Sequence, residues 1–385
     1  MSSLIPSAII QQSTRLRPAM VDMLQRLVLA ESPTGDRSAA ARTRELLEAE
    51  FQSCGYRSRR IRGSAYGDVL FAAPQRRSRA RPLQMLVGHY DTVWPLGTLR
   101  EMPLEVEPDV VRGPGAFDMK AGLVQLLTAL RIVHDLQLDP SVTPVAVLNA
   151  DEELGSREST RTIRRVARRA VRAFVMEPAF GLTGKLKTAR KGVGSYELTI
   201  KGRAAHAGIA PEQGVSAILE MSYQVQRLFA LNDPARGITV NVGTIDGGLR
   251  SNVVAPEVKA SIDVRVPTLQ DADEIDAALR ALTPLDVRTT IKVEGGFEHP
   301  PLERLPRNQV LWRLAENLGA QLGLTLEQAA VGGASDGNTI SQYTATLDGL
   351  GAVGDGAHAA HEFVDVAHMV DRTALLVLLL MSPCT

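Results

Sequence analysis

Apolar residues recur at helical spacing over residues 14–30 and again over residues 37–54, with Ser32-Pro33-Thr34-Gly35-Asp36 between them as a turn and N-cap region. Two helices therefore precede the sheet. Short β-rich runs follow at residues 68–72, 84–88, 144–149 and 173–176, and the segments 121–136 and 158–170 between them carry a helical pattern. Strands that alternate with helices predict an α/β fold, a mostly parallel sheet with helices on both faces.

The pattern changes after Arg190-Lys191-Gly192. Residues 195–201 alternate as a strand, 214–231 are helical, 238–245 and 258–266 are strands, 272–282 are helical and 287–293 form a strand. The order β-α-β-β-α-β is ferredoxin-like and makes a complete small α+β domain. Beyond Pro300-Pro301 the α/β character returns, with a helix near 309–322 and a last one from 364 onward. The expectation is one α/β domain, residues 1–192 and 302–385, interrupted by an inserted domain at residues 193–301.

A chain of 385 residues exceeds what one core usually serves, in keeping with two domains. Its 43 Lys and Arg balance 43 Asp and Glu, so no global field draws nucleic acid or an anionic membrane, and neither is expected as a partner. Cys54 and Cys384 are far apart and form no CxxC pair, which points to reduced thiols and a cytoplasmic protein. Residues 1–20 show no secretory signal, and the longest apolar stretch, residues 374–381, is too short to span a bilayer.

Ligands of an open α/β sheet gather beyond the C-terminal ends of its strands. There the sequence places His89-Tyr90-Asp91, Asp151-Glu152-Glu153 and Glu177-Pro178, each directly after a β-rich run. His89 and Asp91 alternate by two, so the carboxylate can orient a metal-bound imidazole. Glu152 and Glu153, as neighbours on an extended segment, face different ways, so one can bind metal while the other addresses a water. Asp118 opens a helix after the turn Gly113-Pro114-Gly115, where backbone N–H groups favour an anion. Each feature also has a plain structural explanation: a surface turn, a solvated acidic pair, a strand end, a helix cap. Their joint placement on one rim is what points to a metal site.

The runs Gly88-His89-Tyr90-Asp91-Thr92-Val93, Gly113-Pro114-Gly115 through Asp118-Met119-Lys120, Asp151-Glu152-Glu153 with Gly155-Ser156, and Met176-Glu177-Pro178 resemble the zinc exopeptidases of the aminoacylase, acetylornithine deacetylase and glutamate carboxypeptidase family. Further matches are Gly202-Arg203-Ala204-Ala205-His206, Ser251-Asn252-Val253, Asp263-Val264-Arg265, Ser335-Asp336 and Gly356-Ala357-His358 through Glu362. They keep the family's order along nearly the whole chain. His89 through Leu99 is most similar to the glutamate carboxypeptidase branch.

That resemblance implies two divalent metal ions, zinc first with cobalt or manganese as substitutes. Asp118 would bridge them, His89 and Glu177 would complete one site, and Glu153 with His358 the other. Glu152 would be the general base acting on a metal-bridging hydroxide, and Asp91 would hold His89 in its tautomer. The family spacing to Glu362 selects His358 over His361, three residues on. The remaining histidines, His134, His299 and His368, have no motif context. The peptide bond after Asp118 would be cis. The inserted domain would act as lid and homodimer surface, with His206 reaching the partner's active site and Asn252 and Arg265 holding the substrate's carboxylate.

The implied reaction is hydrolysis of an N-acyl or peptidyl amino acid, releasing a C-terminal residue such as glutamate. A deacylase or dipeptidase of other specificity is the alternative, prompted by Ala359 where many relatives carry Ser or Thr after the metal histidine. A non-catalytic binding protein of the same fold fits less well, because every ligand candidate and Glu152 are kept. A dehydrogenase would need a GxGxxG turn after the first strand, which is missing. The Arg-rich stretch 157–172 reads as a solvated helix face that could also draw acidic substrates.

Overall fold

The computed structural model describes residues 4–78 and 80–383, and the chain divides into two compact units. The first comprises Met1–Thr188, Arg304–Val331 and Ser335–Thr385, the second Ala189–Glu303 and Gly332–Ala334. Cys54 is buried, whereas Cys384 lies outside the described residues. No helix among the described residues is long and apolar enough to cross a membrane.

The larger sheets are built from β1 (Tyr56–Ile61), β2 (Val69–Pro74), β3 (Leu83–His89), β4 (Thr143–Asn149), β5 (Ala170–Val175), β6 (Gly192–Lys201), β7 (Thr239–Gly247), β8 (Glu257–Val266), β9 (Thr290–His299) and β10 (Ala345–Leu347). In the first unit the order is β1-β2-β4-β3-β5-β10. β3 lies parallel to β4 and β5, and β10 parallel to β5, while β2 runs antiparallel to β4 and β1 antiparallel to β2.

Side chains that alternate along these strands feed two cores. Leu86 joins Leu70, Leu148 and Phe174 on one face, whereas Met85 and Val87 join Val147, Ala173 and Val175 on the other. Burial on both faces explains why the strands read as continuous apolar runs. The first face packs with the helices Leu4–Leu29, Ala121–Asp135 and Val366–Met381. The last of these buries Ala374 through Leu380 completely or nearly so, each leucine contributing about 1.5–3 kcal/mol. The second face takes Ile163 and Ala167 of the helix Thr160–Ala167 and Ile340 of Asp336–Ser341.

The second unit is a four-stranded antiparallel sheet in the order β7-β8-β6-β9. Its helices, Ala217–Phe229 and Leu269–Arg280, are capped by the side chains of Ser216 and Thr268. Chain order and pairing together give the ferredoxin-like arrangement.

Several elements differ from expectation. β1 was not anticipated, because Tyr56-Arg57-Ser58-Arg59-Arg60-Ile61 reads as a polar loop; it is an edge strand with Arg57, Arg59 and Arg60 exposed, where charge protects an open edge. The first helix reaches back to Leu4. The strand expected at 287–293 begins only at Thr290, since Asp286 forms a turn that accepts from the backbone N–H groups of Arg288 and Thr289. Two small sheets were also missed, one joining Leu186–Arg190 to Gln328–Val331, the other built from Glu105–Val106, Val110–Arg112, Gly354–Asp355 and Phe363–Asp365. Runs so short carry no readable period.

Candidate metal centre and active site

β3 ends on His89, β4 on Asn149 just before Asp151, and β5 on Val175 just before Glu177. Parallel pairing in register sets these three ends side by side. A turn through Gly115 at φ 71° brings up Asp118. A Cβ on Gly115 would sit 2.4 Å from Thr92 Cγ2, so only glycine fits this approach. His358 itself has a left-handed backbone, φ 61°, a conformation that costs a non-glycine residue about 1–3 kcal/mol and gathers at functional sites.

Five of the expected side chains form one cluster. His89 Nε2 lies 3.4 Å from Asp118 Oδ1 and 3.5 Å from Glu177 Oε1. His358 Nε2 lies 3.6 Å from Asp118 Oδ2 and 3.2 Å from Glu153 Oε2. Asp118 thus offers one oxygen to each group. Glu152 stands just outside: its donor atom is within 4.8 Å of those of His89 and Glu177, without an ion pair to His89 at 4.0 Å or less. His361 is exposed and has no ion pair among the described residues. His134 is exposed, His299 is buried and His368 lies beside Asp365.

The donor set fits metal ions. A tetrahedral site with bonds of about 2.0–2.1 Å spaces its ligand atoms about 3.3–3.4 Å apart, which is the spacing found here. Asp118 Oδ1 and Glu153 Oε1 are buried without a hydrogen-bond partner among the described residues, a costly state for carboxylate oxygens unless a cation faces them. The salt bridges of Asp118 and Glu153 are to imidazoles alone among the described residues.

Electrostatics within the metal-free cluster follow from that crowding. Burial, reinforced by the charge of Glu177, holds the Glu152 carboxyl well above the ordinary carboxylate range. Burial also raises Glu153, against the opposing hydrogen bond from His358. The bond to Glu153 in turn raises His358 to about 9. Burial works against a charged His89, but the neighbouring carboxylates of Asp118, Asp91 and Glu177 outweigh it and keep the imidazole well above its usual value.

Two local readings of the sequence need correction. Glu152 and Glu153 sit in a single 3₁₀ turn, Glu152–Leu154, rather than on extended chain, so both carboxylates approach His89 from neighbouring sides. Asp118 does not cap a helix: the helix begins at Ala121, and Asp118 has φ −112° and ψ 97°. The N–H groups of that turn are aimed at Glu362 instead. Its Oε1 accepts from the backbone N–H of Phe117 at 2.8 Å and Asp118 at 3.0 Å, its Oε2 from Gly115 at 2.9 Å and from Trp94 Nε1 at 2.9 Å. The peptide bond after Asp118 is cis, in line with expectation.

Asp91 is fully engaged. Its carboxylate accepts from Thr34 Oγ1 at 2.8 Å and from the backbone N–H groups of Glu152 at 3.4 Å and Glu153 at 3.2 Å, and it lies 3.4 Å from His89 Nδ1. Its backbone oxygen is nearer to that ring nitrogen, at 3.0 Å. Thr34 and the structural role of Glu362 were not foreseen. The motif pointed to Glu362 only as a spacing mark, and nothing around Thr34 announces its partner. Asp336, 3% exposed, accepts from Asn149 Nδ2 and Ser156 Oγ behind the cluster.

The other expected residues lie in the second unit. The backbone N–H of Ala207 donates to Asn252 O and that of Val254 to Ala205 O, so the strands of chain carrying His206 and Asn252 run side by side, both residues exposed. Arg265 on β8 is held by both oxygens of Asp263 at 2.9 and 2.8 Å.

A family model described as peptidase dimerisation domain matches residues 188–284. Carboxypeptidase G2 of Pseudomonas sp. (strain RS-16) is 28% identical over 393 residues, covering 98% of this chain and 92% of its own. Among solved structures, a dinuclear metal binding peptidase from the M20 family of Bacillus subtilis superposes with a TM-score of 0.69 at 12% identity, covering 96% of this chain and 98% of its own. The chain thus carries a peptidase dimerisation domain and is similar to peptidases of the M20 family along nearly its whole length. The aminopeptidase PepT of Bacillus cereus ATCC 10987 shares the fold as well, with a TM-score of 0.79 at 20% identity over 95% of this chain and 98% of its own. Its relatives include carboxypeptidase G2 and a succinyl-diaminopimelate desuccinylase of Azoarcus sp. (strain BH72), and the protein is an enzyme of the metallopeptidase and amidohydrolase class.

Proposed function

We propose that the protein is a two-metal hydrolase that cleaves the amide bond of an N-acyl or peptidyl amino acid and releases a C-terminal residue such as glutamate. The observation that carries this reading is the pair of donor groups sharing Asp118: His89 and Glu177 on its Oδ1 side, Glu153 and His358 on its Oδ2 side. The likeness to carboxypeptidase G2 across almost the whole chain supports the substrate class. Two divalent ions held by these residues, zinc first, would polarise the scissile carbonyl and acidify a water.

Glu152 has the properties of the base. It lies beside the donor groups without contacting His89 directly, and its raised pKa suits a carboxylate that takes a proton from water and returns it to the leaving amine. Asp91 braces the ring of His89 and the backbone of Glu152 and Glu153 at once. Arg265 and Asn252 are assigned to the substrate carboxylate and His206 to the carbonyl, the latter in a homodimer. Exposed Ile218, Leu219, Phe229, Ile245 and Leu249, on and beside the edge strand β7 and the helix Ala217–Phe229, give that dimer an apolar surface.

The test is turnover of a panel of N-acyl and peptidyl amino acids by metal-stripped enzyme reloaded with zinc, cobalt or manganese, with Glu152→Gln alongside. Release of C-terminal glutamate, with kcat lowered about 10²–10⁴-fold in the variant at unchanged metal content, is the expected result. Preference for substrates of another side chain would favour the deacylase or dipeptidase reading that Ala359 raises. No turnover with any metal would refute the proposal.

A further inference from the structure

The helix Thr160–Ala167 buries Ile163 and Ala167 and turns Arg161, Arg164 and Arg165 to solvent, continuing into exposed Arg168 and Arg169. Three adjoining depressions run from this helix to the sheet edge. The first is lined by arginines of the helix and by Arg157. It shares Arg165 and Arg169 with a cavity of about 320 Å³ between the helix and β1–β2, and that cavity shares Arg59, Phe71 and Arg77 with a third depression beyond. Among the described residues no Asp or Glu lines any of them.

Two arginines close by are paired, Arg60 with Glu48 and Arg81 with Asp139. Arg59, Arg77, Arg165 and Arg169 have no ion-pair partner among the described residues. Edge protection accounts for charge on β1 but not for four unpaired guanidinium groups converging from three segments. Nor does it account for the apolar floor between them, made by Ile61, Phe71, Leu83 and Val166, all partly buried.

Unpaired guanidinium forks select carboxylates or phosphates. A nucleic-acid strand would need aromatic faces for its bases. Phe71 is the single aromatic on the floor, and nearby Tyr343 is already covered by Arg168 at 4.8 Å. Inorganic polyphosphate would leave the apolar floor unused. A polypeptide that mixes acidic and apolar side chains satisfies both features, and the continuity of the three depressions suits an extended segment.

We propose that this groove docks an acidic segment of a partner protein, with carboxylates on Arg59, Arg77, Arg165 and Arg169 and apolar side chains on Phe71 and its neighbours. The groove is separate from the metal cluster. Leu83 opens β3 and Arg169 precedes β5, whereas His89 and Glu177 lie at the far ends of those strands, about 20 Å away.

Fluorescence anisotropy of the full chain with short labelled peptides tests this. The probe is a repeating Glu-Glu-Leu peptide, acetylated and amidated so that no free terminus invites cleavage, compared with polyglutamate and a single-stranded oligonucleotide of equal charge. The Glu-Glu-Leu peptide should bind saturably, more tightly than polyglutamate, and weaken with salt. Arg165→Glu with Arg169→Glu should weaken it at least about tenfold while amide hydrolysis and circular dichroism are unchanged. A lone Arg59→Ala variant, less disruptive to folding, should weaken it in the same direction. Absence of saturable binding, equal affinity for polyglutamate, tighter binding of the oligonucleotide, or indifference to these substitutions would each overturn the proposal.

Discussion

Replacing Glu362 with glutamine probes how the Gly115–Asp118 turn is held. The carboxylate accepts four hydrogen bonds, two on each oxygen, from Phe117, Asp118, Gly115 and Trp94. A glutamine keeps one accepting oxygen and turns an NH₂ group toward two buried N–H donors. Two bonds to a charged acceptor, at about 1.5–3 kcal/mol each, are lost. Part of that is recovered because a neutral amide is cheaper to bury than a carboxylate, whose pKa burial already pushes upward. The net cost should be about 2–4 kcal/mol. Glu362→Ala, which leaves all four donors without an acceptor, should cost more. Urea denaturation of the metal-stripped protein, followed by circular dichroism, reads the stability. A parallel metal titration reads whether Asp118 is still presented, with affinity expected to fall about 10–100-fold. A Glu362→Gln protein as stable as the parent and with the same metal affinity would refute the reasoning.

Asp91→Asn should lower metal affinity about 10–100-fold with little change in overall fold, since it weakens the brace on His89 and on the turn of Glu152 and Glu153; equilibrium dialysis measures it. Asp336 should give the metal-stripped protein a pH-dependent stability. Burial raises its pKa from 3.8 to about 7, against the bond from Ser156 and with repulsion from Asp151, so between these values the folded chain holds a proton that the unfolded chain has lost. Its contribution is therefore full below about pH 4 and is lost as pH rises toward 7. Asp336→Asn, which cannot ionise, should flatten the fall over that window in denaturation series run at successive pH values.

The helix–strand alternation, the inserted β-α-β-β-α-β block and the strand ends carrying His89, Glu152 and Glu177 were legible because long apolar runs and strand-to-acid junctions survive in the bare sequence. β1 was not, since an edge strand needs no buried face and Arg57, Arg59 and Arg60 hide it. The cluster's acidic and imidazole members were named from motifs, but how they are supported was not. Whether Asp118 receives backbone N–H groups or cedes them to Glu362 depends on a contact across 244 positions of chain. The hydroxyl of Thr34 reaches Asp91 across 57 positions for the same reason, and no local pattern encodes either.

The most direct test is metal stoichiometry by elemental analysis and calorimetric titration on the stripped chain, beside Asp118→Asn. If one carboxylate serves both donor groups, the parent takes up two divalent ions per chain, and the variant loses tight binding of both. One ion per chain in the parent, or two retained at undiminished affinity in the variant, would contradict the account.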